Sequence, residues 1–464
     1  MSPLDLLHFF AQFFPPDLSV LYLRALALPV AESIGMAAAA ITLAFAVSVP
    51  LGLCIGLRLP GSRILVILLT ALRAIPDLTL AILCVIGFGI GAGAGALALS
   101  IYYAAAISKM LGDLFVTAPR RPVEALTATG ASRLQIALYG LLPLTRSDVL
   151  SYGSYEFESA IRASVIVGAV GGGGLGSELV GSLAEMDYHR VTTQVLALVL
   201  VIVVFDKVTV WLRRHPRMIW ALLPLGLACV VHFAPQLTFK LHNLEAFGTM
   251  FPPRLNLSQL HGLPLLVVQT VLMAVIGTAL AVLIAIPMGA ASCRNLAPAW
   301  LAIPTRRLLE ILRAIPELAW GLLLVAAIGV GPAAGAAALA LHSAGCLGKL
   351  FAESLENVPV APVAAITATG ARSGAVFAYA TAPLALGPVS AHALFRLDWN
   401  LRMATVVGMI GGGGIGQALY NAQQLFFYRT MMAYLLVTWL LVMGFDALNN
   451  RLRRSYGLER GALA

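Results

Sequence analysis

The sequence predicts an all-α membrane protein made of two tandem copies of one unit. Three observations carry that expectation. The composition is too apolar for a soluble chain, the apolar runs reach bilayer-spanning length, and a set of motifs recurs at one offset.

The 464 residues are 60% hydrophobic and 11% charged, with a mean hydropathy of +0.90. A soluble domain carries about 25% charged residues, so most of this chain cannot be solvated surface. About 20 apolar residues cross a bilayer core. Ile34–Leu57 contains no charge, and Val191–Leu212 holds only Asp206 and Lys207, near one end. The net charge of +9 fits the positive-inside rule better than nucleic-acid binding. Arginines crowd some connections (Arg120, Arg121, Arg133; Arg213, Arg214, Arg217; Arg451, Arg453, Arg454) and are sparse in others. Crowded connections should face the cytoplasm. Met1–Pro29 lacks a basic start and carries Asp5, so no cleavable signal peptide is expected. The five cysteines lie scattered in apolar segments without CxxC spacing, which supports neither a metal site nor a disulfide framework. No nucleophile–base constellation and no nucleotide motif occurs, so the chain itself is not read as an enzyme.

The repeat organises the rest. LRAIPDL at Leu72–Leu78 returns as LRAIPEL at Leu312–Leu318, TATGA at Thr127–Ala131 returns at Thr367–Ala371, and GGGGLG at Gly171–Gly176 returns as GGGGIG at Gly411–Gly416. Each pair is 240 residues apart. Upstream, FFPP at Phe13–Pro16 and MFPP at Met250–Pro253 differ by 237, so three extra residues enter the second copy before LRAIP. Generic apolar composition does not produce one register across two halves.

Each half reads as five spans. They fall near 29–57, 62–90, 93–115, 141–170 and 191–213, then near 266–292, 305–330, 333–355, 381–410 and 429–450. A further apolar run, Met218–Phe233, joins the halves and gives the second copy an amino-terminal span that the first lacks. The expected total is about 11 helices of bilayer length, with the two copies parallel about an axis along the membrane normal. The corresponding domains are an outer-interface segment 1–28, a first transmembrane domain 29–214, a connecting region 215–265, a second transmembrane domain 266–454 and a cytoplasmic tail 455–464. Leu4–Phe14 is too short to cross and is placed at the outer interface.

Between the third and fourth span of the first half lies a polar, basic connection, EALTATGASRLQIALYGLLP from Glu124 to Pro143. It predicts a short helix, a turn at Gly130 and a second helix returning to the membrane. Such a knob can seat in a groove of another protein. The matching Ala364–Pro383 keeps the same spacing of 13 residues from glycine to proline, which favours a docking role over an ordinary loop.

Glu124-Ala125, Gly130 and Pro143 resemble the EAA loop of type I ABC importer permeases. LRAIPEL, LGKLFAE at Leu347–Glu353, ITATGA and the arginine-bearing helix running into GGGGIGQ are similar to phosphonate-family permeases in particular. The likeness extends over nearly the whole chain, once per half. It implies a tandem type I ABC transmembrane fold in a bacterial inner membrane. It also implies two copies of a separate ABC ATPase that holds the ATP and Mg²⁺, and an extracytoplasmic substrate-binding protein. No cofactor is implied for this chain. The coupling-loop residues would be Glu124, Ala125, Gly130 and Pro143, with Ala364, Ala365, Gly370 and Pro383 in the second copy. Ala364 stands where the family pattern has glutamate, so the two loops should grip unequally. The common family form is a single-copy chain that pairs with itself, whereas this chain carries both copies.

Two further sets of residues are candidates for the translocation pathway. The runs Gly171, Gly172, Gly173, Gly174 and Gly411, Gly412, Gly413, Gly414 lack the Gly-Lys-Ser/Thr of a phosphate loop. Irregular backbone at membrane depth lines a cavity or is buried in protein; tight helix packing explains the glycines equally well. Glu158 and Arg162, like Asp398 and Arg402, lie four apart on one helical face. Each arginine either helps pass an anion or is neutralised by its own carboxylate as a structural pair. His342, opposite Tyr102 in the register, reads as a satisfied core group. Lys109, Lys349, Arg73 and Arg313 sit near span ends, where snorkelling suffices.

The reading that unites these features is the permease of an importer for phosphonates or related phosphorus oxyanions such as phosphite. Two rivals stay open. One is a permease of the same class for an amino acid, a quaternary amine or another oxyanion. The other is an ATP-independent channel or secondary transporter, which the paired loops oppose.

Overall fold

The computed structural model describes residues 11–215, 219–237, 245 and 247–455. Every regular element among them is helical. The chain divides into two compact units at Thr249–Met250, inside the expected connecting region.

The first unit holds α1 (Val20–Gly56), α2 (Ser62–Arg73), α3 (Asp77–Phe88), α4 (Ala92–Thr117), α5 (Arg120–Ala128), α6 (Arg133–Gly172), α7 (Gly174–Ala184), α8 (Tyr188–Arg214) and α9 (Ile219–Phe233). The second holds α10 (Leu257–Ser292), α11 (Ala299–Ala314), α12 (Glu317–Ile328), α13 (Pro332–Glu356), α14 (Val360–Ala368), α15 (Ser373–Gly412), α16 (Gly414–Gln424) and α17 (Tyr428–Ser455). From α3 to α8 each element of the first unit has its partner 240 residues later, and α1 and α10 start 237 apart. The three extra residues lie at the start of α11, which runs 16 residues against 12 in α2.

In each unit the long first helix packs along the helix that precedes the knob. Small residues allow close approach, as expected where lipid supplies no hydrophobic drive between helices. A Cβ on Gly52 of α1 would lie 2.8 Å from Leu111, and one on Gly112 of α4 would lie 2.8 Å from Ile55. Gly289 of α10 meets Phe351 of α13 in the same manner, at 2.9 Å. Ser48 Oγ donates to the Ala104 carbonyl at 3.0 Å, so a polar group in the apolar seam is satisfied.

Several expected spans differ in detail. The first helices begin at Val20 and Leu257, well before residues 29 and 266. The runs 62–90 and 305–330 are not straight: α2 and α3 are bent by 85°, α11 and α12 by 87°. Pro76 and Pro316 stand at the breaks, where proline disfavours helical geometry in the residue before it. Among the described residues seven helices are long and apolar enough to cross a membrane, or up to ten if each bent pair is one crossing.

The described part of the connecting run is a helix of 15 residues, Ile219–Phe233, where a crossing needs ~20. It lies alongside α1, with Phe233 against Gly35 and Gly226 against Thr42, and it falls in the first compact unit. The expectation that it serves the second copy is therefore corrected. The cause is local: glycines at 35 and 226 let α1 and α9 approach more closely than side chains would permit. Gln236, just past α9, then accepts a hydrogen bond from the Gly93 amide at the start of α4, at 3.1 Å.

The expected outer-interface segment Leu4–Phe14 lies largely outside the described residues. Its end is held by the start of α8: Phe13 is buried against Tyr188, and Thr192 Oγ1 donates to the Phe13 carbonyl at 2.8 Å. The repeat survives here too. The Asp17 amide donates to the His189 carbonyl, and the Arg254 amide donates to the Arg429 carbonyl, each at 3.3 Å.

Candidate functional site

The knob recurs with matching backbone. α5 and α14 are nine residues each. Each ends in a Thr-Ala-Thr-Gly turn in which the glycine amide donates to the first threonine's carbonyl at 3.0 Å. Gly130 and Gly370 close the turn at φ +79° and +77°, in the left-handed region that L side chains rarely enter. After Gly130, Ser132 and Gln135 form a reciprocal capping box that starts the return helix. Pro143 and Pro383 sit two residues inside the α-helical stretches Leu142–Val167 and Ala382–Val407, and a π-helical turn precedes each. Proline lacks the donor for its i−4 carbonyl, and a wider turn absorbs the mismatch.

Glu124, Ala125, Ala364 and Ala365 are all exposed. Glu124 is the fifth residue of α5, one turn further from the helix start than a dipole interaction favours. Sequence reasoning overlooked two aromatic residues at matching positions. Tyr139 is 74% exposed and Tyr379 is 77% exposed. Together with Leu134, Leu138 and Val360 they make the knobs conspicuously apolar for their exposure.

The glycine runs form sharp elbows. Helix α6 ends at Gly172 and α7 leaves at 60°. Gly171, Gly173 and Gly174 have φ of +99°, +78° and +70°; Gly411, Gly413 and Gly414 have +107°, +83° and +68°. The elbow is tied to its unit at both ends. The Gly91 amide donates to the Gly171 carbonyl, and the Gly331 amide to the Gly411 carbonyl, at 2.9 and 2.8 Å. The first turn of α7 is capped from α1: the Gly174 amide donates to Glu32 Oε2 and the Leu175 amide to Ser33 Oγ, at 3.1 and 2.8 Å. Gln269 and Thr270 of α10 do the same for Gly414 and Ile415.

Glu158 and Arg162 form a salt bridge of 2.6 Å on α6, and Asp398 and Arg402 form one of 2.6 Å on α15. Arg402 also reaches Asp446 of α17 at 3.0 Å, a second carboxylate that local spacing could not reveal.

The second unit contains a larger buried polar cluster at the α11–α12 break. Glu317, first residue of α12, accepts from Arg396 at 3.0 Å and from Trp399 Nε1 at 3.0 Å, and His342 Nε2 lies 3.2 Å away. His342 Nδ1 donates to the Ile315 carbonyl, freed by the break, at 2.8 Å, so His342 is the satisfied core group expected. Arg396 Nε also donates to Ser343, and Asn400 bridges Ser343 and Thr278. Sequence reading missed Arg396, although an arginine inside a span should have prompted a search for its partner. The first unit has Asp77, Tyr102 and Glu156 at the positions matching Glu317, His342 and Arg396.

Comparison with known proteins agrees with this duplicated geometry. Residues 48–217 and 277–457 each match the family described as "Binding-protein-dependent transport system inner membrane component". The chain is similar to the "Phosphate-import permease protein PhnE" of Mycolicibacterium smegmatis, 28% identical over 91% of this chain and 84% of that protein. It is also similar to the "Phosphite transport system permease protein PtxC" of Stutzerimonas stutzeri, 39% identical over 41% of this chain and 69% of that protein. With the family domain matched in both halves, this chain belongs to the inner-membrane permease components of binding-protein-dependent ABC import systems, a non-catalytic part that carries its domain twice.

Proposed function

We propose that this chain carries both permease halves of an importer for phosphonates or related phosphorus oxyanions such as phosphite, working with two copies of an ABC ATPase and an extracytoplasmic substrate-binding protein. The single observation that carries the stoichiometry is the knob found twice with the same turn and the same exposed tyrosine. Each knob seats in one ATPase, and ATP-driven closure of the ATPase pair moves the helices that leave the knobs. Those helices are α6 and α15. They also bear the ion pairs and end in the glycine elbows, so one rigid piece links each ATPase contact to the elbow beyond it. Because Glu158 and Asp398 already neutralise Arg162 and Arg402, we place these pairs along the pathway as elements that hold the helices in position. The substrate class is supported by the likeness to the phosphate-import and phosphite transport permeases above.

Native mass spectrometry of the purified complex should show one permease chain with two ATPases. Two permease chains per two ATPases would overturn the fused-permease reading. Uptake by proteoliposomes with all three components should be saturable for phosphite or a phosphonate. Uptake of an amino acid or a quaternary amine in preference to both would overturn the substrate class.

A further inference from the structure

In the second unit, a cleft of about 420 Å³ opens between the turn that follows α10 and the start of α11. Arg294 contributes from the turn. Ala299, Ile303, Arg306, Arg307 and Glu310 contribute from α11. Their spacing of three and four residues puts them on one stripe of that helix. Three guanidinium groups therefore face a space that holds one carboxylate. Arg307 is paired with Glu310 at 2.6 Å at the surface. Arg306 is spent differently: its Nε donates to the Ser292 carbonyl at 2.8 Å and its terminal nitrogen pairs with Glu356. Arg294 is exposed, and its side chain has no acidic partner among the described residues. Counting Glu356, the group keeps an excess of one positive charge.

The surroundings are apolar and belong to a membrane helix. Helix α11 is the first half of a broken span. Trp300 is 76% exposed beside the cleft, and Ile303 and Leu296 are exposed as well. Tryptophan with arginine at a helix start marks the boundary between hydrocarbon and headgroups. A basic hollow at that depth matches the phosphate of an anionic lipid, whose acyl chains continue along the exposed apolar side chains. The site is particular to the second copy. Val66, Ile67 and Val116 stand at the positions of Arg306, Arg307 and Glu356.

We infer that this cleft binds the phosphate headgroup of an anionic membrane phospholipid, held between Arg294 and Arg307 with Trp300 against its acyl chains. The site bears on the knob through Glu356. This residue ends α13, four positions before α14, and accepts from both the Arg294 amide, at 2.7 Å, and Arg306. A bound headgroup braces the wall to which the foot of the second knob is tied. The inference does not depend on which solute is transported.

The test uses the full chain in nanodiscs of phosphatidylcholine with or without phosphatidylglycerol. Lipid retained in native mass spectrometry and the unfolding midpoint are both read. Phosphatidylglycerol should be retained and should raise the midpoint. Arg294→Gln with Arg307→Gln should lower retention by about fivefold for each charge removed and cancel the midpoint shift. Arg294→Lys with Arg307→Lys should keep most of both, which separates lost charge from misfolding. Arg58→Gln with Arg63→Gln, in the equivalent turn and at the start of α2 in the first copy, should change neither. Equal loss in that control would overturn a specific site. So would equal retention of phosphatidylcholine. The same midpoint shift from inorganic phosphate in phosphatidylcholine alone would make it a soluble-anion site. If the glutamine pair lost ATPase from the complex while still retaining lipid, the cleft would be a protein contact and the lipid assignment would be wrong.

Discussion

Arg396 and Glu317 lie 79 residues apart in sequence and meet as a buried ion pair at 3.0 Å. The pair joins α15 to the helix break that opens α12, and Trp399 and His342 complete the coordination of the carboxylate. Removing one partner from a buried pair leaves an uncompensated charge, at a cost of about 3–5 kcal/mol. Arg396→Leu should therefore destabilise the protein by that amount, read as thermal unfolding followed by tryptophan fluorescence. Arg396→Leu with Glu317→Leu should recover a large part of the loss. Equal damage from the single and double variants would show that packing, not pairing, holds the break.

The elbow glycines separate space from conformation. A Cβ at Gly176 would lie 2.0 Å from the Val165 carbonyl oxygen, and one at Gly416 would lie 2.0 Å from that of Thr405. Backbone must shift to admit it, and overpacking of this kind costs about 1–3 kcal/mol. Gly176→Ala and Gly416→Ala should each lower the unfolding midpoint. Gly181, further along α7, has nothing within 4 Å of its added Cβ, and its counterpart is Asn421. Gly181→Ala should be neutral or slightly stabilising, by up to about 1 kcal/mol.

At the knobs the constraint is purely conformational. Gly130 and Gly370 have open space around them but positive φ. A β-branched residue there is a genuine outlier. Gly130→Val and Gly370→Val should leave membrane insertion intact yet uncouple ATP hydrolysis from uptake in proteoliposomes containing all three components. Asparagine, which tolerates this region, should retain more coupling at either site. Full coupled transport in both valine variants would show the knobs to be ordinary connections.

The two knobs differ by one carboxylate, Glu124 against Ala364. Glu124 is exposed and one turn into α5, so a pair formed there with an ATPase would be a surface pair, worth about 0–1 kcal/mol. Glu124→Ala should lower ATPase affinity by less than about fivefold. Ala364→Glu should raise it by a similar modest factor. Titration of ATPase binding by fluorescence anisotropy measures both.

What the sequence made legible was whatever is local or repeated. The turn at Gly130, the pairing of Glu158 with Arg162 and the matching of FFPP with MFPP all follow from spacing along one chain segment or from the register between copies. The contacts that escaped are of a different kind. Arg396 with Glu317, Arg402 with Asp446, and α9 against α1 join elements that meet only after the helices pack. The 85° and 87° breaks were also hidden, because an apolar run keeps its composition whether or not it bends. Pro76 and Pro316 were visible in the motif, but hydropathy alone reads through them.

The divergence of position 156 from position 396 shows what fusion permits. In a permease assembled from two identical chains, every substitution is felt twice, and a residue near the symmetry axis confronts itself. A charge reversal there would place like beside like, and a stability cost would be doubled. One polypeptide carrying both copies escapes that arithmetic. Glutamate can be kept at 156 while arginine is built into a cluster at 396, and one knob can lose its carboxylate while the other retains it. Selection can thus tune each half of the permease by itself, so that the two knobs need not carry the same mechanical load.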